Sequence, residues 1–114
     1  MILCFHGRIN KECKGESAYD CGHHYRYYPD YDLLSLYGAR LMALHLHDNN
    51  GRYAQHGLPF DGTIDWTATM KKIGETDYTG ATAIEAMNWD YEHLSAEEFL
   101  HKAFERAKRL EALV

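Results

Sequence analysis

The sequence is poor in the features that usually announce a function. Its three cysteines, Cys4, Cys13 and Cys21, are an odd count with no CxxC spacing, which argues against a disulfide framework or a structural zinc knot and fits a reducing cytoplasm. No apolar run is long enough to span a bilayer, and the opening Met1-Ile2-Leu3-Cys4-Phe5 is interrupted too soon by His6 and Arg8 for a signal peptide. A soluble, cytoplasmic chain is the expectation. Basic clusters are also missing: 12 Lys and Arg face 17 Asp and Glu, for a formal charge of -5, which disfavours a phosphate-backbone partner. Hairpin signals are absent as well, so the strands are not expected to pair through tight turns.

What is present is a globular composition, 46% hydrophobic and 25% charged over 114 residues, enough for one domain at most. Eight histidines and nine tyrosines stand out; both side chains can bond polar substrates, and imidazole is the commonest metal ligand. Two of the histidines fall in Leu41-Met42-Ala43-Leu44-His45-Leu46-His47-Asp48, an apolar run that ends in two imidazoles and a carboxylate. As a strand it would turn His45 and His47 to one face and Leu44 and Leu46 to the other. The turn formers Asn49-Asn50-Gly51 follow, so the histidines sit where a strand meets a loop.

Upstream, Ser17 to His24 reads as a short strand running into a glycine turn, with Asp20 and His23 three apart at its end. Residues 25–29 read as an aromatic loop, followed by a helix capped by Asp30, carrying Leu33, Leu34 and Tyr37 and closed by Gly38. Downstream, Pro59 and Gly57 make residues 51–62 a loop that contains His56. Asp65 caps a helix whose Trp66, Met70 and Ile73 share one buried face. Residues 80–86 read as a third strand containing one carboxylate, Glu85, which is costly there unless paired or bound to a cation. Ser95-Ala96-Glu97-Glu98 is a capping box opening a last helix with the stripe Phe99, Ala103, Ala107, Leu110 and Val114.

Alternating strands and helices imply an α/β fold of parallel βα units. Asp20, His23, His45 and Glu85 then lie at strand ends, which a parallel sheet brings together. Such mixed carboxylate and imidazole donors suit Mn²⁺, Co²⁺, Zn²⁺ or Fe²⁺ better than Ca²⁺.

Asp20-Cys21-Gly22-His23, His45-Leu46-His47-Asp48-Asn49, His56 with Leu58-Pro59, Gly62-Thr63-Ile64-Asp65-Trp66, and Ile84-Glu85 together resemble the C-terminal half of sugar phosphate isomerases/epimerases. These are xylose isomerase-like TIM barrels, distantly related to endonuclease IV, and the likeness covers residues 17–114. The resemblance implies one partial barrel domain over 1–114, with Asp20, His45 and Glu85 matching three of four ligands of a divalent cation (Mn²⁺, Co²⁺, Zn²⁺ or Mg²⁺). It implies further metal or substrate contacts at His23, His56, His47 and Asp48, and a role for Glu85 in moving a proton next to a carbonyl of a sugar or sugar phosphate. The fourth ligand, a glutamate, finds no match in Glu12 or Glu16. Ala54 stands where endonuclease IV has an aspartate, which weakens a three-zinc phosphodiesterase reading.

A closed barrel needs eight strands and roughly 250 residues, whereas about three βα units are legible here. The expectation is therefore a C-terminal portion of a metal-dependent isomerase or epimerase, or a non-catalytic half-barrel acting as a metal-binding or assembly module. Either would be covered by a second copy of itself or by a missing N-terminal half, without nucleic acid or membrane.

Overall fold

The computed structural model describes residues 2–4 and 16–114. Two strands, β2 (Ser17–Asp20) and β3 (Leu41–His45), run parallel, with Asp20 opposite His45 at their shared C-terminal end. The connection between them carries α1 (Cys21–Tyr27), α2 (Leu33–Tyr37) and a 3-10 turn over Gly38–Arg40. This is the βαβ arrangement expected from the sequence, and it brings the two strand ends side by side. After β3 come α3 (Trp66–Gly74) and α4 (Ala96–Glu111).

Three features depart from the sequence reading. The first strand of the sheet is β1 (Ile2–Cys4), which pairs antiparallel with β2, so the sheet is mixed. Residues 21–27 are helical, where the sequence suggests a glycine turn up to His24 and an aromatic loop over 25–29, because Asp20 caps them: its Oδ1 accepts the backbone N–H of His23 at 2.9 Å. Residues 80–86 do not form a full strand but a single parallel bridge, Ile84 to Leu46, held by Leu46 N–H to the Ala83 carbonyl at 2.9 Å and Glu85 N–H to the Leu46 carbonyl at 3.0 Å. Among the described residues no further strand flanks that segment, and Gly80, Ala81 and Ala83 are exposed; without neighbours on both sides such small residues bury too little to extend the ladder. The βα units are those of a barrel, but the sheet is not closed.

Local signals set the helix starts. Asp32, not Asp30, caps α2 through Ser35 N–H. Asp65 caps α3 through Ala68 N–H at 2.9 Å, and Ser95 with Glu98 completes the capping box of α4. Leu44, Leu46, Trp66, Met70, Ile73 and Leu110 are buried together with Leu33, Leu34 and Tyr19, each large aliphatic side chain contributing about 1.5–3 kcal/mol. The core thus lies on the Leu44 and Leu46 side of β3, as the alternation requires. On α4 only Leu110 is fully buried, whereas Leu100 and Phe104 are 66% and 60% exposed. Val114, assigned to the apolar stripe from its spacing, is exposed too. No described helix is long and apolar enough to cross a membrane. Cys21 is a free, buried thiol; Cys13 and Glu12 fall outside the described residues, and Glu16 is exposed.

Candidate metal centre

The C-terminal ends of β2 and β3, the start of α1, the bridge at Ile84 and the loop after β3 place six imidazole or carboxylate side chains in one neighbourhood, those of Asp20, His23, His45, His47, His56 and Glu85. Asp20, at the end of β2, is 2% exposed and is shared by two histidines. Its Oδ1 lies 2.9 Å from His47 Nε2 and its Oδ2 lies 2.5 Å from His23 Nδ1. Burial raises the Asp20 pKa, but the bonds from His47 and His23 outweigh it and hold the carboxyl well below the usual carboxylate range. A carboxylate only accepts, so in the neutral rings the other nitrogens, His47 Nδ1 and His23 Nε2, carry the lone pairs.

His47 is fully buried, and its ring occupies the space beside Gly22: a Cβ on Gly22 would come within 2.1 Å of Cε1 and 2.3 Å of Nδ1. Asn49 fixes that approach by donating from Nδ2 to the Gly22 carbonyl at 2.8 Å. His56 stacks on His47 with ring centroids 3.9 Å apart and planes at 7°, and meets His23 edge-on at 5.1 Å. Its backbone adopts φ 49°, unusual for a residue with a side chain. Burial, and then the neighbouring His47, push its pKa down, which favours the neutral, ligand-competent ring.

Glu85 follows the bridge at Ile84. One of its oxygens, Oε2, lies 3.5 Å from His45 Nδ1. Ligand atoms of Asp20, His47 and Glu85 fall within 4.8 Å of one another, and those of His23, His47 and His56 do likewise. The structure therefore groups His47 with Asp20 and Glu85, where the resemblance points to His45; His45 touches the group through Glu85. His45 ends β3 with its side chain 37% exposed, whereas His47, two residues on, is fully buried: alternation suggests a shared face and not the depth.

Whether these residues fit a cation can be judged from what the protein leaves unpaired. His47 Nδ1 and Glu85 Oε2 are buried atoms without a hydrogen-bond partner, although buried polar atoms are nearly always satisfied. Two orphaned ligand atoms beside a carboxylate, with a glycine in place of any side chain next to the imidazole, fit a divalent cation in donor type.

Asp48 lies outside both groups of ligand atoms. It is fully buried, and its two oxygens accept four donors: the N–H groups of Asn49 (2.9 Å), Ile64 (3.2 Å) and Phe60 (2.9 Å) and the indole N–H of Trp66 (2.7 Å). It ties down the loop that carries His56. Residues that the sequence reading did not single out also surround the cluster. Tyr27 stacks on His23 at 5.9 Å, and Trp89, 58% exposed, meets His56 edge-on at 5.7 Å. The i, i+4 spacing of His23 and Tyr27 was available as a signal once residues 21–27 are read as helix.

With the ends of two parallel strands carrying this cluster, the fold and site define an α/β-barrel segment. The chain belongs to the xylose isomerase-like TIM barrel family, whose model matches residues 16–110. It is 39% identical over 98 residues to the uncharacterized protein y4fM of Sinorhizobium fredii (strain NBRC 101917 / NGR234), a match covering 85% of this chain and 31% of that protein. The chain thus spans about a third of that relative. No solved structure matches it.

Proposed function

We propose that the chain carries part of the active site of a metal-dependent sugar or sugar-phosphate isomerase or epimerase. The observation that supports this best is that ligand atoms of Asp20, His47 and Glu85 lie within 4.8 Å of one another, while His47 Nδ1 and Glu85 Oε2 are buried without a hydrogen-bond partner. Asp20, His47 and Glu85 would hold the cation, with His45 beside Glu85. A divalent cation bound there supplies Lewis acidity to a carbonyl oxygen.

The remaining work falls to the chain's own groups. Glu85, in reach of both the cluster and solvent, takes a proton from the carbon next to the carbonyl and returns it to the neighbouring carbon in an isomerase; in an epimerase Glu85 serves one face of the carbon and an acid group on the facing wall protonates the other. Proton and electron pair both end on the sugar, so no co-reactant is consumed. His45 Nδ1, 3.5 Å from Glu85 Oε2, orients that carboxylate. His23 and His56 wall the cluster and limit water at the reacting carbon.

Because the chain spans 31% of its relative, walls from other strands would come from a second copy or from an N-terminal half, which also covers the open sheet edges. The test is elemental analysis of protein purified without a histidine tag and dialysed against Mn²⁺, Co²⁺ or Zn²⁺, with Asp20→Asn as control. About one equivalent bound by the wild type and lost in the variant is expected; no metal above background after loading defeats the proposal. In a homologue of full length, replacing the glutamate equivalent to Glu85 by Gln should stop exchange of the substrate's α-proton with deuterated solvent.

A further inference from the structure

Helix α1 points three side chains the same way. His23, Arg26 and Tyr27 are spaced i, i+3 and i+4 and so share one face of the helix. His23 belongs to the ligand cluster, and Tyr27, 54% exposed, lies flat against it with planes at 18°. The Arg26 guanidinium carbon sits 5.1 Å from the centre of the Tyr27 ring. Arg26 Nε is buried and has no hydrogen-bond partner, and no described carboxylate lies within ion-pair distance of the guanidinium. In a chain with five more acidic than basic side chains, an unpaired and partly buried arginine is conspicuous. Arg106, by contrast, reaches Asp61 at 2.8 Å. A buried guanidinium nitrogen offered no acceptor is costly, and the planar fork of the half-buried Arg26 matches the oxygens of a phosphate or carboxylate.

We infer that Arg26 is the anion anchor of the substrate, with Tyr27 holding the guanidinium in place, so that the site takes a sugar bearing an anionic group, as a phosphate ester or a carboxylate. The inference rests on the functional reading above and narrows it to charged sugars. Arg26 binds and orients; it takes no part in proton transfer.

The experiment compares fructose, fructose 6-phosphate, glucuronate and inorganic phosphate as ligands of the EDTA-treated chain by calorimetry, so that no anion is held by a metal. Fructose 6-phosphate or glucuronate should bind at least about tenfold more tightly than fructose, the effect of one charge-assisted contact. The tighter of the two identifies the anion. Arg26→Ala, and Arg26→Gln, which keeps the stem over Tyr27, should each abolish that preference and leave fructose binding unchanged; Arg26→Lys should restore part of it. Equal binding of fructose and both anionic sugars, no binding of any ligand, or a preference that survives both Arg26→Ala and Arg26→Gln overturns the inference. Mn²⁺ titration of the same proteins keeps the two claims apart. An anion preference without Mn²⁺ binding supports the anchor and defeats the metal centre, whereas Mn²⁺ binding without a preference does the reverse.

Discussion

Asp48 and Asp20 are two buried aspartates at the ends of neighbouring segments, and their surroundings differ in kind. Asp48 accepts four N–H groups, three of them from the backbone, so its charge is answered inside the protein. Asp20 accepts one backbone N–H, that of His23, and is otherwise answered by the imidazoles of His23 and His47, and beside it His47 Nδ1 and Glu85 Oε2 have no hydrogen-bond partner. Backbone donors cannot be exchanged for a ligand without unfolding a loop, whereas imidazoles and carboxylates keep lone pairs available. The first arrangement builds a scaffold and the second leaves room for an external partner. Yet His47 of the second arrangement and Asp48 of the first are adjacent in the sequence.

The sharpest way to break this contrast is Asp48→Ala. It strands four donors in a site that water does not reach, and each unmet buried donor costs about 1–3 kcal/mol. A loss of at least about 3 kcal/mol in urea denaturation is expected. Added Mn²⁺ should not restore it, because the defect lies in the loop. If Mn²⁺ did restore stability, Asp48 would belong with the ligands.

How much of this was legible in the sequence depends on how local each cause is. Caps at Asp65 and Ser95 are fixed by residues three positions away, and both were readable. So was the parallel pairing of β2 with β3, since the alternation of Leu44 and Leu46 with His45 and His47 is carried by the chain itself. The helix after Asp20 was missed although its cap is equally local, because His23, His24 and Tyr25 carry no helical apolar stripe. The short bridge at Ile84 was overread as a strand, since small apolar residues suggest a strand without saying whether neighbours exist to pair with it. The depth of His47 could not be read at all: it depends on Gly22, 25 positions earlier, leaving space for the ring.

That dependence gives the next test. Gly22→Ala places a methyl group within 2.1 Å of the His47 ring, so the imidazole must shift or the strand ends must part. Such overpacking costs about 1–3 kcal/mol. Mn²⁺ affinity should fall by about tenfold or more, since a ligand displaced by a fraction of an ångström no longer converges with Asp20 and Glu85. Unchanged affinity in a folded Gly22→Ala variant would remove His47 from the ligand set and favour His45.

The smallest expected effect concerns the brace outside the cluster. The Tyr91 hydroxyl accepts the Leu58 N–H at 2.8 Å and donates to Asp61 at 3.0 Å, and Asp61 in turn pairs with Arg106 of α4. Burial, and then the nearby Asp61 carboxylate, push the Tyr91 pKa up to about 12, although the Leu58 N–H bond opposes the shift. Because the folded value lies above the unfolded one of 10.0, the folded protein binds more protons in that window. The stability linked to this proton is therefore fully present below pH 10 and is lost as the pH rises towards 12. Tyr91→Phe removes both the hydroxyl and its titration, so it should cost about 1 kcal/mol at neutral pH and flatten the alkaline decline. Urea midpoints of the two proteins between pH 8 and about 11 measure both effects. Mn²⁺ affinity should not change, because Tyr91 steadies the scaffold side of the contrast; a parallel loss of metal binding would show that the two regions are one mechanical unit.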